Sequence, residues 1–326
     1  MPWTLGEFSK IEVDPLRKSV IDTLLMNSNL MELIPWETIG SLSTRVVRYQ
    51  DLPSVGFRKL NEAFAESIGH FEGKNETISL FGGDIDTDKA IARAGNSIAN
   101  ARAIQQNMKL RSIAYTINDK FINGSPTVDP EEFKGIKERI DDIVAEGYTG
   151  QKINNAGTAG DGILLDAAER GNFLNRLDQL IYSIVGHNPD FLFMNSKMLL
   201  ALRSCLRQER LLNQAQDQFG RVIDMYGSIR LIDIGVKADQ ITEIITNTET
   251  TTGVAGGTEC TSIYAVKFGI GEHLWGIQEY PLEVEDLGQL QTAPVYRTRI
   301  DWNLGLADVN PRCMGRLYNI IPDAST

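Results

Sequence analysis

Side chains that commonly catalyse reactions or bind metals are few in this sequence, and they are dispersed. The histidines and cysteines are His70, His187, His273, Cys205, Cys260 and Cys313. Zinc sites need clustered ligands, and here there is no C-x-x-C pair and no histidine with a second His, Cys or carboxylate at ligand spacing. The sequence therefore predicts neither a metal site nor a histidine base, and the cysteines are expected to pack as small apolar groups.

An acidic run at Asp84, Asp86 and Asp88 resembles the opening of a calcium-binding loop. Such a loop requires glycine at its sixth position and a bidentate glutamate at its twelfth. These positions hold Lys89 and Gly95. The acidic residues are instead expected to cap the start of a helix, where carboxylates interact favourably with the helix dipole.

A glycine-rich run at residues 157–162 (GTAGDG) is the nearest approach to a phosphate-binding loop. Its spacing is G-x-x-G-x-G rather than G-x-G-x-x-G, and no Gly-Lys-Ser/Thr follows. A flexible loop is favoured, and a ligand loop in a cytosolic α+β enzyme remains the alternative from a different class. A basic row at Arg203, Arg207 and Arg210 has the spacing of one helical face; a nucleic-acid stripe is one interpretation, but an ordinary solvated or subunit-facing charge row is favoured in so acidic a chain. The sequence thus predicts no catalytic residue and no cofactor.

The amino-acid composition further restricts the classes of function that the chain can have. The chain has 326 residues and a formal net charge of −11, from 43 acidic and 32 basic side chains. This balance argues against a dedicated nucleic-acid binder, which normally carries a basic surface. The first residues do not form a basic-then-apolar signal, and no long apolar run follows, so we expect synthesis in the cytoplasm and no membrane insertion.

The first 121 residues, whose elements must position any functional side chains, divide into three unusual segments. Residues 1–45 scatter apolar side chains without the density of a core, which predicts an arm lying on its own body or on a neighbouring subunit. Residues 45–51 are strand-like, and glycine punctuates residues 52–83, which predicts an extended two-stranded excursion with a short helix at 58–68. A free hairpin is only marginally stable, so this excursion would need a partner surface.

The third segment is a long helix predicted from about residue 86 to residue 121. Its apolar stripe consists of Ile91, Ala94, Ile98, Ala101, Ile104, Met108, Ile113, Ile117 and Phe121. About 33 helical residues would reach roughly 50 Å, a length typical of extended or assembling subunits.

The remainder of the chain mixes helices and strands. Helices are predicted to start near residue 129 and to span 173–185 and 197–210, with strands at 191–194, 228–234, 262–268 and 295–302. In the last of these, charged side chains at 297, 299 and 301 alternate with Tyr296, Thr298, Ile300 and Trp302, as in a half-buried strand. The class is α+β.

Several motifs occur in an order that carries a resemblance. They are residues 52–62 (LPSVGFRKLNE), 82–88 (GGDIDTD), 121–124 (FING) with 132–136 (EFKGI), 177–181 (LDQLI), 189–195 (PDFLFMN), 261–269 (TSIYAVKFG), and 295–301 (VYRTRID) with 305–306 (GL) and 310–312 (NPR). In this order the chain resembles the major capsid protein of tailed bacteriophages, which has the Hong Kong 97-type fold.

The resemblance implies a domain plan. Residues 1–44 would form the N-terminal arm, 45–85 the extended loop, and 86–145 the peripheral domain with its long spine helix. Residues 146–255 would form the axial domain, and 256–326 the strands that return to the peripheral domain, followed by the C-terminal tail.

The resemblance also implies the function, which is structural rather than enzymatic. Subunits would assemble into hexamers and pentamers and close an icosahedral shell around packaged double-stranded DNA, held without specific binding. Portal proteins, with scaffold or decoration proteins, would be the partners, and the virion capsid the location. An encapsulin-like nanocompartment shell is the near alternative. Subunit-interface residues are expected in the loop: Arg58, Lys59, Glu62 and Lys74.

Overall fold

The computed structural model describes residues 28–89, 98–155, 162–164, 166–211, 213–216, 222–249 and 260–322. The helices are α1 (Asn29–Leu33), α2 (Ile98–Asn123), α3 (Ile136–Ala145), α4 (Ala167–Ser183) and α5 (Ser196–Gln208). The first strands are β1 (Trp36–Thr38), β2 (Ser43–Asp51), β3 (His70–Thr77), β4 (Ser79–Asp88), β5 (Lys152–Asn154), β6 (Phe191–Met194) and β7 (Asn213–Gln216). The later strands are β8 (Val222–Tyr226), β9 (Ile229–Asp233), β10 (Thr261–Val266), β11 (Leu274–Gln278), β12 (Glu283–Gln289), β13 (Val295–Asp308) and β14 (Met314–Ile320). The mixture of helices and strands confirms the α+β class.

Strand β13 organises a five-stranded sheet in the described part of the chain. Strand β4 pairs antiparallel with one side of β13, and β12 and then β11 pair with the other side. Strand β1 extends the sheet parallel to β11, and its Trp36 ring lies 5.0 Å from that of Trp302. Buried side chains of α2 and α3 pack against this sheet in one core.

Helix α1 shows where part of the predicted arm lies. Ser28 caps the helix by accepting a hydrogen bond from the Met31 amide, and its hydroxyl donates to Asn118 of α2 at 2.6 Å. Leu30 and Ile34 are buried in the core beside α2. Residues 28–38 therefore lie on their own body, and residues 1–27 are outside the described residues.

A second layer is built on a seven-stranded sheet, again within the described ranges. Its order is β5-β14-β10-β6-β9-β8-β7, and the apolar faces of α4 and α5 pack on it. Side chains fix where both helices begin: Asp166 accepts from the Glu169 amide and Asn195 from the Met198 amide, each at 2.8 Å. These N-caps satisfy backbone donors that a helix start leaves unpaired.

Strands β2 and β3 form a two-stranded antiparallel ribbon, with Ser43 opposite Thr77 at its base. Residues 52–69 connect the strands at the far end. The short helix predicted at 58–68 is wrong, because these residues are extended apart from a turn at Leu60 and Asn61.

The acidic run is also placed differently from the prediction. Asp84, Asp86 and Asp88 belong to strand β4 rather than to the start of a helix. Their side chains are exposed while Ile85 and Thr87 are buried, which is the two-residue period of a strand. Helix α2 is described from Ile98 to Asn123, and residues 90–97, with Ile91 and Ala94 of the predicted stripe, lie outside the described residues.

The predicted stripe on α2 is only half buried. Ile113, Ile117 and Phe121 are buried, whereas Ile104 and Met108 are exposed. Helix α3 begins at Ile136 instead of near residue 129, because residues 125–132 form turns between the two helices.

Candidate functional site

The connecting loop of the ribbon, residues 52–69, presents apolar side chains to solvent. These are Leu52, Val55, Phe57, Leu60, Phe64 and Ile68. Val55 is 99% exposed and Phe57 is fully exposed. A cluster of large apolar side chains on one loop is unusual on a monomeric surface and indicates a contact with another molecule.

A turn lies in the middle of this loop, at Leu60 and Asn61. The Glu62 amide donates to the Lys59 carbonyl at 3.2 Å, and the Glu62 carboxylate accepts from the Lys59 amide at 3.3 Å. Asn61 takes a positive φ of 68°, which asparagine tolerates better than most residues. The Arg58 guanidinium donates to the Glu62 carbonyl at 3.1 Å and lies 5.1 Å from the centre of the Phe64 ring.

The structure thus brings together three of the four residues predicted at a subunit interface. Arg58, Lys59 and Glu62 lie on either side of the turn in the ribbon loop. Lys74 lies elsewhere, on β3, where its ammonium group is 3.2 Å from Asp308 and 3.1 Å from Glu76 of its own chain. An interface role for the four residues stays a prediction.

At the base of the ribbon, Lys74 belongs to a basal charge cluster that the sequence did not reveal. We use this name for three cations and three carboxylates: Arg48, Lys74, Arg139, Glu76, Glu146 and Asp308. Asp308 is at its centre, with a side chain that is 0% exposed, and it contacts Arg48, Lys74 and Arg139.

Arg139 makes the most complete set of contacts in the basal charge cluster. Its two terminal nitrogens donate to the Glu76 carboxylate at 2.9 and 2.8 Å. It also donates to the carbonyls of Leu306 at 2.7 Å and Lys134 at 2.9 Å. A paired bidentate contact of this kind fixes orientation as well as distance.

The electrostatics of the cluster keep Asp308 ionised. Burial by itself would raise the pKa of this carboxyl, but the charges of Arg139, Lys74 and Arg48 outweigh it. The pKa of Asp308 therefore lies well below its ordinary value, and the pKa of Arg139 is raised for the reciprocal reason.

Apolar contacts complete the base of the ribbon. Val46 of β2 and Ile78, which follows β3, pack with Trp275, Ile277 and Ala307 of the five-stranded sheet. The fit is close at Gly305, where an added Cβ would lie 2.7 Å from the Thr77 carbonyl oxygen. A glycine is required here because the backbone of β3 approaches β13 directly.

One sequence signal could have revealed part of the basal charge cluster. Arg139 lies among Ile136, Ile140 and Ile143 on the buried face of α3, where a charged residue breaks the apolar pattern. Its partners could not be inferred in this way, since Glu76 and Asp308 are 63 and 169 residues away in the sequence.

Within the described ranges, the other candidates do not come together in a catalytic constellation. Among the described residues, no group of three or more His, Cys, Asp or Glu side chains is arranged to hold a metal ion. Residues 157–161 of the glycine-rich run lie outside the described ranges. Arg203 pairs with Asp224 at 2.8 Å, and Arg210 lies beyond the end of α5. Across the described parts of the chain, the helices are all too short or too polar to span a bilayer.

Comparison with known proteins connects this architecture to capsids. The model of the family "Major capsid protein GP7" matches residues 14–164. No curated protein matches the sequence.

Solved structures match over almost the whole chain. The holo-SrpI encapsulin complex from Synechococcus elongatus PCC 7942 aligns with a TM-score of 0.61 and 15% identity, covering 91% of this chain and 89% of that chain. The capsid of the native GTA particle gives a TM-score of 0.57 and 13% identity, covering 90% of each chain. Mycobacterium phage Bobi gives 0.54 and 13%, covering 93% of this chain and 91% of that chain.

These likenesses establish the fold, which is the Hong Kong 97-type capsid fold predicted from the sequence. The resemblance to a major capsid protein is confirmed by the family match together with that fold. Both findings support a structural role in a capsid shell.

Proposed function

We propose that this chain is the major capsid protein of a tailed bacteriophage. Its subunits assemble into hexamers and pentamers that close an icosahedral shell around packaged double-stranded DNA. The family match and the capsid fold support this proposal. The protein is made in the cytoplasm of the bacterial host and functions in the virion.

The observation that carries the proposal is the uncovered ribbon loop. Phe57 and Val55 are fully solvent-exposed in the single chain, and Leu52, Leu60 and Ile68 are each at least 79% exposed. A two-stranded ribbon has little stability of its own, so such a loop is maintained because another surface covers it. In a shell, that surface is a neighbouring subunit.

A second apolar surface is consistent with the same role. Ile104 and Met108 are exposed on the first half of α2, although the second half of the helix is buried in the core. An exposed apolar helix face beside a well-packed core is expected of a subunit that contacts others. Arg58, Lys59, Glu62 and Lys74 are proposed to contribute to these contacts.

The charge of the chain suits the enclosure of DNA without specific binding. With a net charge of −11, the subunit offers the phosphate backbone little electrostatic attraction. A portal protein, and scaffold or decoration proteins, are the further partners of the proposal. The domain plan implied by the resemblance, from the arm at 1–44 to the returning strands at 256–326, is part of the proposal as well.

An encapsulin-like compartment is the second candidate, because the fold of the holo-SrpI encapsulin complex is similar over most of both chains. The two candidates differ in the contents of the particle. Nuclease-protected double-stranded DNA in particles from infected or induced cells would support the capsid, and a co-purifying cargo enzyme without DNA would support the compartment.

The first experiment is expression of the chain alone and with its neighbouring viral genes, followed by negative-stain electron microscopy and light scattering. Closed polyhedra, or rings of five and six subunits, are expected. The matched variants are Phe57→Ser in the ribbon loop and Val128→Ser, since Val128 is also strongly exposed but lies between α2 and α3. Phe57→Ser should abolish assembly while leaving the circular dichroism spectrum unchanged, and Val128→Ser should assemble.

Two results would contradict the proposal. One is a wild-type chain that stays monomeric with all assembly partners present. The other is normal shell formation by Phe57→Ser, which would show that the exposed loop does not carry the contact.

A further inference from the structure

The ribbon is attached to the rest of its own subunit by two distinct kinds of contact. One is the small apolar cluster of Val46 and Ile78 with Trp275, Ile277 and Ala307. The other is the basal charge cluster. Beyond these contacts the ribbon projects, and its loop residues 52–68 are exposed throughout.

The ion pairs of the basal charge cluster run mostly from the ribbon to the body. Arg48 of β2 pairs with Asp308 at the end of β13 and, at 3.1 Å, with Glu146 beyond α3. Glu76 of β3 accepts both bonds from Arg139 of α3. Lys74 of β3 reaches Asp308 at 3.2 Å. Separating the ribbon from the body would break these four pairs together, and only Lys74–Glu76 within the ribbon and Arg139–Asp308 within the body would remain.

The equal number of cations and carboxylates favours either the fully attached ribbon or the fully detached one. Three cations and three carboxylates face one another. The side chains of Asp308 and Arg139 are each no more than 2% exposed. A buried charge without its partner is strongly unfavourable, so partial displacement of the ribbon is penalised. Apolar contacts tolerate sliding, whereas the bidentate Arg139–Glu76 pair has one geometry.

The basal charge cluster is also accessible enough to open. Glu146 and Lys74 keep 41% and 25% of their side chains exposed, so water reaches the edge of the cluster. Arg48 Nε is buried without a hydrogen-bond acceptor among the described residues, which leaves the closed arrangement short of one contact.

We infer that the basal charge cluster is an electrostatic latch that fixes the direction in which the ribbon leaves the subunit. Arg48, Lys74 and Glu76 are the side of the latch on the ribbon, and Asp308, Arg139 and Glu146 are the side on the body. Because the proposed function places the ribbon loop on a neighbour, the latch also sets the angle at which two subunits meet. That last step rests on the proposed function, but the latch itself does not.

The latch is tested by hydrogen–deuterium exchange on the unassembled chain, isolated by size-exclusion chromatography at pH 7. The variants are Arg48→Gln and the milder Lys74→Gln. The control is Arg299→Gln, which removes an equally formed but exposed pair with Asp84. Both latch variants should increase amide exchange in β2 and β3 at least tenfold, because the detached ribbon has little stability of its own. Exchange in β6 and β10 should stay at wild-type values.

Two outcomes would overturn the inference. If exchange in β2 and β3 matches the Arg299→Gln control, the apolar contacts alone hold the ribbon. If exchange rises equally in both sheets, the basal charge cluster is a general stability element and not a latch. Should Arg48→Gln fail to fold, Lys74→Gln decides between the same outcomes.

Particle size provides the second measurement. Electron microscopy should show a broader distribution of diameters for Lys74→Gln shells than for wild-type or Arg299→Gln shells. An unchanged distribution would contradict the claim that the latch sets the angle between subunits. If the wild-type chain forms no shells, the proposed function fails, while the exchange experiment still decides on the latch.

Discussion

Arg297 donates two hydrogen bonds to the carboxylate of Asp86, each at 2.7 Å, from a position directly opposite it on the neighbouring strand. Arg299 and Asp84 repeat the arrangement two residues along, with contacts of 2.8 and 3.1 Å. The two pairs form a ladder on the exposed face of β4 and β13. They explain why the acidic run alternates in the sequence, and they contrast with the buried ions at the base of the ribbon.

Arg297→Gln is expected to leave the thermal unfolding midpoint of the chain essentially unchanged. The hydrogen bond from Arg297 lowers the pKa of Asp86, but both side chains are solvated and screened. Differential scanning fluorimetry at low and high salt tests this, with Asp86→Asn as the matched variant. A large loss of stability in either variant would show that the ladder is structural.

Asp308→Asn is expected to destabilise the chain strongly at pH 7, by about 3–5 kcal/mol, because it leaves buried cations without their central carboxylate. The pKa of Asp308 is depressed, so its contribution is fully present above the ordinary pKa of about 4 and is lost as the pH falls through the lower folded value. The difference between variant and wild type should therefore shrink below about pH 4.

Urea denaturation of the unassembled chain between pH 3 and pH 8 measures this difference. Arg297→Gln serves as the control, since its pair is exposed. A constant difference across the pH range would contradict the assignment of Asp308 as the ionised centre of the cluster.

The cysteines are expected to be unreactive in the folded chain. Cys205, Cys260 and Cys313 are buried, and burial raises the pKa of Cys205 to about 11 and raises that of Cys313 as well. Because the thiolate is the reactive form, Ellman's reagent at pH 8 should label no cysteine before unfolding and all three in urea. Rapid labelling of one thiol in the native chain would show local opening.

Replacing Arg58 and Glu62 together with glutamine is expected to impair shell closure while leaving the monomer folded. The pair shapes the turn in the middle of the ribbon loop, and the loop makes no contribution to the buried core. Negative-stain electron microscopy and circular dichroism measure the two properties separately. Normal shells from this variant would reject the assignment of the loop to subunit contacts.

The sequence predicted those elements whose pattern is local. The strand at Phe191–Met194 and the alternation around Arg297 are confirmed, because burial on one or two faces leaves a clear period. Strand β4 was mistaken for a helix start, since three aspartates before an apolar stretch also fit a helix cap. The decisive information was the arginine pair on β13, more than 200 residues away.

The candidate site was predicted only in part, for a related reason. Glycine punctuation after a strand-like run predicts an extended two-stranded excursion from the sequence alone. The basal charge cluster depends on Arg48, Arg139 and Asp308 meeting across sequence separations of 169 and 260 residues. The position of Arg139 on an apolar helix face marks that residue as unusual, but no local pattern identifies its partners so far away in the sequence.

The length and position of β13 have a mechanical consequence. The strand is hydrogen-bonded to β4 on one side and to β12 and β11 on the other, and Asp308 is at its C-terminal end. A pull on the ribbon is passed through Arg48 to Asp308 and then along the axis of the strand. Ladder hydrogen bonds lie perpendicular to that axis, so they bear the load together in shear instead of opening one after another. β13 thus transmits tension from the projecting ribbon to the whole five-stranded sheet.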